Sequence, residues 1–145
     1  MAQGHNTQGI PQSDRQIRVA DADSLLTTAS DYATFVVACV WPDSNESIDQ
    51  PSRLMMRPQV SVAANVYWGL GWGIEETDDG SFLWHIGGGI GAPFQNFVFV
   101  SSSDGIGIVI LTNSANGGAL FEPLVRWITG WNFSLFKFVR DYFYR

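Results

Sequence analysis

The run from Tyr67 to Thr112 constrains this chain most: short apolar stretches alternate there with turn-forming breaks. Four stretches read as strands: Tyr67-Trp-Gly-Leu-Gly-Trp-Gly-Ile74, Phe82-Leu-Trp-His-Ile86, Phe94 to Ser102, and Ile106-Gly-Ile-Val-Ile-Leu-Thr112. Asp78-Asp79-Gly80 and Asp104-Gly105 are turn signals, and Gly87-Gly-Gly-Ile-Gly91 breaks the second strand from the third. Connections this short suit hairpins and are too short for the crossovers of a parallel sheet. An antiparallel meander follows. The continuous apolar run of the last strand predicts cover on both faces. The glycines of the first predict that something packs close to its backbone.

Helical patterns flank this core. Tyr32, Phe35, Val36, Cys39 and Val40 recur at helical spacing, and Thr28 with Asp31 three residues on forms a capping-box-like start. Pro42 ends that helix. Residues 43–50 read as an acidic loop, and Ser52 to Met56 as a short helix ending before Pro58. Ala119 to Thr129 reads as a helix stopped by Gly130, with Pro123 admissible only in its first turn. The class is α+β: an antiparallel sheet of about four strands between N- and C-terminal helices, covering residues 25–130. Residues 1–24 form an irregular polar entry segment, and residues 131–145 an aromatic tail with Lys137, Arg140 and Arg145. Packing on the sheet or on a partner is favoured for the tail over membrane contact, because Gly130 to Phe136 carries no charge and so no basic face.

Charge narrows the possible partners. Fourteen acids against eight bases give a net charge of −6. Residues 1–80 hold eleven acids and four bases, and no Lys or Arg lies between Arg57 and Arg126. Without a basic track, no nucleic-acid partner is expected. Cys39 is the only cysteine, so no intrachain disulfide can form. With two His and one Cys, a zinc site of the usual structural kind is not expected. Met1 to Gln16 is polar, with no apolar stretch of the signal-peptide kind, and the compartment is left open.

The stretch with chemical content is His85-Ile86-Gly87-Gly88, at a strand end. Upstream lie Leu25-Leu-Thr-Thr-Ala-Ser-Asp-Tyr-Ala-Thr-Phe35 and Tyr67-Trp-Gly-Leu-Gly-Trp72, and downstream lies Ile108-Val-Ile-Leu-Thr-Asn113. In this order the four boxes resemble the serine β-lactamase-like superfamily of class C β-lactamases, D-alanyl-D-alanine carboxypeptidases and related esterases, over about Leu25 to Thr129. The resemblance implies serine acyl transfer without a cofactor. It places His85 at the cationic or polar position of an H-x-G strand lining the substrate cleft, with Ile86 in the middle position. Gly87 would keep that strand bare, and the Gly88 backbone N–H would be one oxyanion donor.

Two departures qualify what the resemblance implies. Ile86 has no hydroxyl for a ligand carboxylate, which points from penicillins toward an ester or peptide substrate. No S-x-x-K or Y-x-N precedes His85, and no Lys occurs in the first 136 residues. The chain is then expected to be the C-terminal part of a serine hydrolase, inactive alone. It would depend on a missing N-terminal half or self-associate through an apolar face. The alternative is a non-catalytic binding module derived from the same fold.

The remaining motifs have plainer readings. Ser134-Leu-Phe-Lys137 and Ser114-Ala-Asn116 follow the H-x-G box in the wrong order, and Ser134 is read as opening the aromatic segment. Gly87, Gly89 and Ala92 fit a dinucleotide-binding pattern, but an apolar strand follows where that site needs a helix. His5 is read as a surface residue. Asp21, Asp23, Asp78 and Asp79 are read as solvated.

Overall fold

The structure, a computed structural model, describes residues 2–13, 25–41 and 53–143. Its centre is one antiparallel sheet of six strands in sequence order. They are β1 (Val60–Ala63), β2 (Val66–Trp68), β3 (Gly73–Thr77), β4 (Gly80–Gly87), β5 (Gln95–Ser101) and β6 (Ile106–Thr112). The predicted meander is therefore present, but with six strands where the sequence suggested about four.

The difference arises at two turns. Tyr67 to Ile74 is not one strand: the chain reverses through residues 69–72, where the Gly69 N–H donates to the Trp72 carbonyl at 2.7 Å. Before it, β1 and β2 form a hairpin in register Val60↔Trp68 and Ser61↔Tyr67, with an irregularity before Ala63↔Val66. Its turn residue Asn65 has φ 60°, a left-handed conformation that Asn tolerates better than most side chains. Glycine serves close packing, as expected. A Cβ on Gly73 would lie 2.3 Å from Trp84 Cε2, so the indole occupies the space a side chain would need.

Among the described residues, three helices of nine residues or more and one 3-10 turn cover the sheet. Helix α1 (Ala29–Val40) starts as its sequence predicts: the Thr28 hydroxyl oxygen accepts from the Asp31 N–H at 3.1 Å. Trp41 caps its end; Pro42, Ser52, Asp21, Asp23 and the acidic loop 43–50 lie outside the described residues. Residues 53–55 form a helical turn. After β6 comes a 3-10 turn at Gly117–Leu120, then α2 (Phe121–Thr129) and α3 (Leu135–Phe143). Pro123 does fall in the first turn of α2, and Gly130 ends it in the left-handed conformation. Residues 135–143 of the aromatic tail are helical, and Phe133, Leu135, Phe136, Phe138 and Val139 pack inward. Among the described residues no helix is long and apolar enough to cross a membrane.

Strand alternation sends side chains to two separate cores. One face carries Phe82, Trp84, Phe97, Phe99 and Ile108 against Phe121 and Val125 of α2 and Leu135, Phe136 and Val139 of α3. Phe133 lies between them, 4.9 Å from Phe82 and 4.8 Å from Phe99 by ring centroids. Aromatic pairs at such spacings add about 0.5–1.5 kcal/mol each beyond area burial. The other face carries Ile74, Leu83, Val98 and Val100 against Val36 of α1, with Met55 and Met56 beside them. Strand β6 meets both clusters, through Ile108 on one face and Val109 on the other, but only Ile108 is buried and Leu111 is exposed, short of the burial on both faces that its apolar run predicts. As an edge strand it keeps Val109 and Ile110 only half-buried.

Candidate functional site

The site follows from a mismatch in strand length. Strand β3 pairs with β4 from Thr77↔Gly80 only as far as Gly73↔Trp84. Strand β5 pairs with β4 further, through His85↔Val98 and Ile86↔Phe97 to Gly87↔Asn96. His85, Ile86 and Gly87 thus extend beyond β3, and among the described residues no strand pairs with them on that side. The turn at residues 69–72 flanks this bare length. A strand edge of this kind presents backbone N–H and C=O groups to an incoming extended segment.

His85 alternates to the α1 face, between Leu83 and Gly87. Its ring is edge-on to Trp68, with centroids 6.2 Å apart. Packing against these neighbours pushes its pKa below the usual histidine value, and a hydrogen bond to the Gly71 backbone opposes this in part. The imidazole is therefore neutral near pH 7, able to donate one hydrogen bond and accept another. Ile86 lies on the opposite face, its side chain half-buried against the cluster that holds α2 and α3. Only its backbone belongs to the bare edge.

The two glycines differ in what the fold asks of them. A Cβ on Gly87 would meet Asn96 at 3.5 Å, an ordinary contact, so packing does not demand glycine there. Gly88 has φ 104°, and a Cβ would lie 2.7 Å from the Phe94 carbonyl oxygen and 2.8 Å from Gln95 Oε1. Both the backbone conformation and the crowding require glycine.

The loop after Gly88 is held by a residue that sequence reasoning passed over. Gln95 is fully buried, and its amide donates to the carbonyls of Gly89 at 2.7 Å and Ala92 at 3.2 Å. Its own carbonyl accepts from the Thr112 hydroxyl at 2.9 Å. The available signal was a polar residue within the apolar sequence of a strand. The Gly87, Gly89, Ala92 pattern leads into a turn and then β5, not into a helix.

Both out-of-order motifs have structural uses. The Ser134 N–H donates to Glu75, and Lys137 Nζ pairs with Asp141 at 2.6 Å within α3. Ser114 Oγ accepts from the Asn116 N–H, and the Asn116 side chain donates to the Thr7 carbonyl. Helix α3 packs on the sheet face opposite to His85, so the structure does not bring Ser134 to the bare edge. His5 is not a free surface residue: it is half-buried, and its N–H donates to the Asn113 carbonyl at 2.9 Å. Asp78 and Asp79 are exposed in the β3–β4 turn.

The architecture is an α+β scaffold: a two-sided antiparallel sheet with helices on both faces and one strand that outruns its neighbour at a glycine. The family model described as Beta-lactamase matches residues 2–128, and the chain belongs to that family. A search of curated proteins found no match to this chain.

Proposed function

We propose that this chain forms one wall of an acyl-transfer cleft in a serine hydrolase of the β-lactamase, DD-peptidase or esterase type. One observation carries this: β4 runs three residues past β3 and is followed at once by the left-handed Gly88. A substrate laid along His85–Gly87 gains backbone hydrogen bonds from the bare edge. The Gly88 N–H lies at the end of that edge, where a developing oxyanion needs a preorganised donor. Neutral His85 borders the same surface and orients the substrate by hydrogen bonding rather than by charge.

The nucleophile and general base come from a segment outside these 145 residues. The surroundings of the two Ser motifs within the chain support this: Ser114 Oγ accepts from the Asn116 N–H, and Lys137 of the second motif is paired with Asp141 on the helix that packs away from His85. The substrate is an ester or peptide carbonyl, since the half-buried Ile86 side chain packs against the core and offers no hydroxyl to a ligand carboxylate. Exposed apolar surface remains on α1, where Phe35 and Val37 flank the buried Val36, and at Leu54 in the helical turn after it. That apolar surface is where the complementing polypeptide, or a second copy of this chain, would pack.

Hydrolysis of nitrocefin and p-nitrophenyl esters by the purified chain tests the proposal. No turnover is expected. Turnover abolished by a serine-directed inhibitor would overturn it. Binding of an acylated peptide that shifts the Gly87 and Gly88 amides without hydrolysis would favour the binding-module reading.

A further inference from the structure

The N-terminal residues 3–11 are irregular yet tied down along their length. The His5 N–H donates to the Asn113 carbonyl and the Ala115 N–H to the His5 carbonyl, both at 2.9 Å. These bonds make His5 a parallel bridge to Ser114, just after β6. The segment also bridges to itself between His5 and Pro11. Side chains complete the attachment: Asn113 Nδ2 donates to the Gln3 carbonyl at 2.9 Å, and Asn116 Nδ2 to the Thr7 carbonyl at 2.9 Å. Residues this polar would not order themselves by burial, so directed hydrogen bonds hold them.

What the segment touches next is the loop of the site. Gly4 is buried, and a Cβ there would lie 2.7 Å from Pro93 Cβ and 2.9 Å from Phe94 Cε2. The backbone of the segment is therefore pressed directly against Pro93 and Phe94. The Phe94 carbonyl oxygen fills the space that a Cβ on Gly88 would need, 2.7 Å away. A contiguous line of packed groups runs from Gly4 through Phe94 to Gly88, and Gln95 fixes the remainder of the loop from the other side.

We infer that residues 3–11 are a positioning clamp for the Gly88 backbone, with Gly4 as its point of pressure and Asn113 and Asn116 as its anchors. The consequence for chemistry rests on the reading of Gly88 as an oxyanion donor; the mechanical coupling does not. A donor displaced by a fraction of an ångström loses much of its effect on a transition state, so a clamp on the loop sets the donor's efficiency.

The experiment reads the backbone amide resonances of the free chain, so it is independent of substrate and of turnover. Gly4→Val pushes on Pro93 and Phe94, whereas Asn116→Ala releases an anchor that touches neither Phe94 nor Gly88. Both variants should shift the Gly88 and Gly89 amides and speed their hydrogen exchange. Gly105, in the β5–β6 turn, and Gly130, after α2, should stay in place. If Gly4→Val does not fold by circular dichroism, Asn116→Ala decides the matter alone. Unmoved Gly88 and Gly89 amides in a folded variant overturn the clamp. Equal shifts at Gly88, Gly105 and Gly130 also overturn it, because they report general loosening. If the clamp holds but no acylated ligand perturbs Gly88, the proposed function fails and the coupling stands.

Discussion

The carboxylate of Glu75, fully buried in β3, accepts the backbone N–H groups of Ser134 at 2.7 Å and Leu135 at 2.8 Å, and so caps the first turn of α3. The first N–H groups of a helix have no partner within it, and here a side chain sixty residues away in sequence supplies one. Negative charge at this end also complements the helix dipole. The cap orients α3 so that Leu135, Phe136 and Val139 reach the sheet.

Removing this carboxylate should loosen α3 specifically. Glu75→Ala leaves two N–H groups without their acceptor, at a cost of about 2–4 kcal/mol. Glu75→Gln keeps one good acceptor and should cost roughly half as much. Urea denaturation would measure both. A harmless Glu75→Gln beside a full loss in Glu75→Ala would show that packing volume, not the cap, matters at this position.

The Gly73–Trp84 fit gives a paired prediction. Gly73→Ala places a methyl group where the indole lies, and overpacking of this kind costs about 1–3 kcal/mol. Trp84 Nε1 is buried with no hydrogen-bond partner among the described residues, so its removal relieves a standing penalty. Trp84→Phe should therefore be milder than its lost area implies, and Gly73→Ala should cost less in that background. Thermal unfolding of the two single variants and the double variant forms the cycle. Strict additivity would refute the fit.

The His85 ring should titrate below the usual histidine value, with desolvation as the cause. Trp68→Ala opens one side of the ring and should move the midpoint back upward, as read by NMR titration of the imidazole protons. The linkage sign follows. The unfolded chain binds a proton at His85 more readily than the folded chain. This group therefore adds nothing above the unfolded value near 6.5, and it lowers stability as pH falls from there to the folded value. His85→Asn should remove that part of the pH dependence. An unchanged slope between neutral and mildly acid pH would contradict the assignment.

Gln95 should govern the order of the loop beside Gly88. Gln95→Ala frees the carbonyls of Gly89 and Ala92 and leaves a fully buried hole, at a cost of about 2 kcal/mol. Hydrogen exchange at residues 88–92 should rise more than at β5 and β6. Uniform acceleration would show that Gln95 supports the sheet rather than the loop.

Much of this structure was legible because its causes are local. The Thr28–Asp31 cap, the Gly130 stop and the β6 run Ile106–Thr112 each depend on residues a few positions apart, and each stands where the sequence placed it. The β2–β3 turn is hidden because residues 69–72 read as strand interior, and the β1–β2 hairpin goes unread although Val60, Val62 and Asn65 carry an alternation and a turn signal. The H-x-G box was legible as a pattern. Its openness was not, because that depends on where β3 stops relative to β4.

By itself the sequence determined the class, the meander, the helix at each flank and the family's boxes in order. Turn chemistry, periodicity and capping act over a few residues and survive without tertiary context. Only the tertiary structure decided that Glu75 caps α3, that Gln95 closes the loop after Gly88 and that residues 3–11 lean on Phe94. These contacts join residues distant in the chain. They exist only once register has set which side chain meets which backbone group, and a one-residue slip would send each to the other face of the sheet.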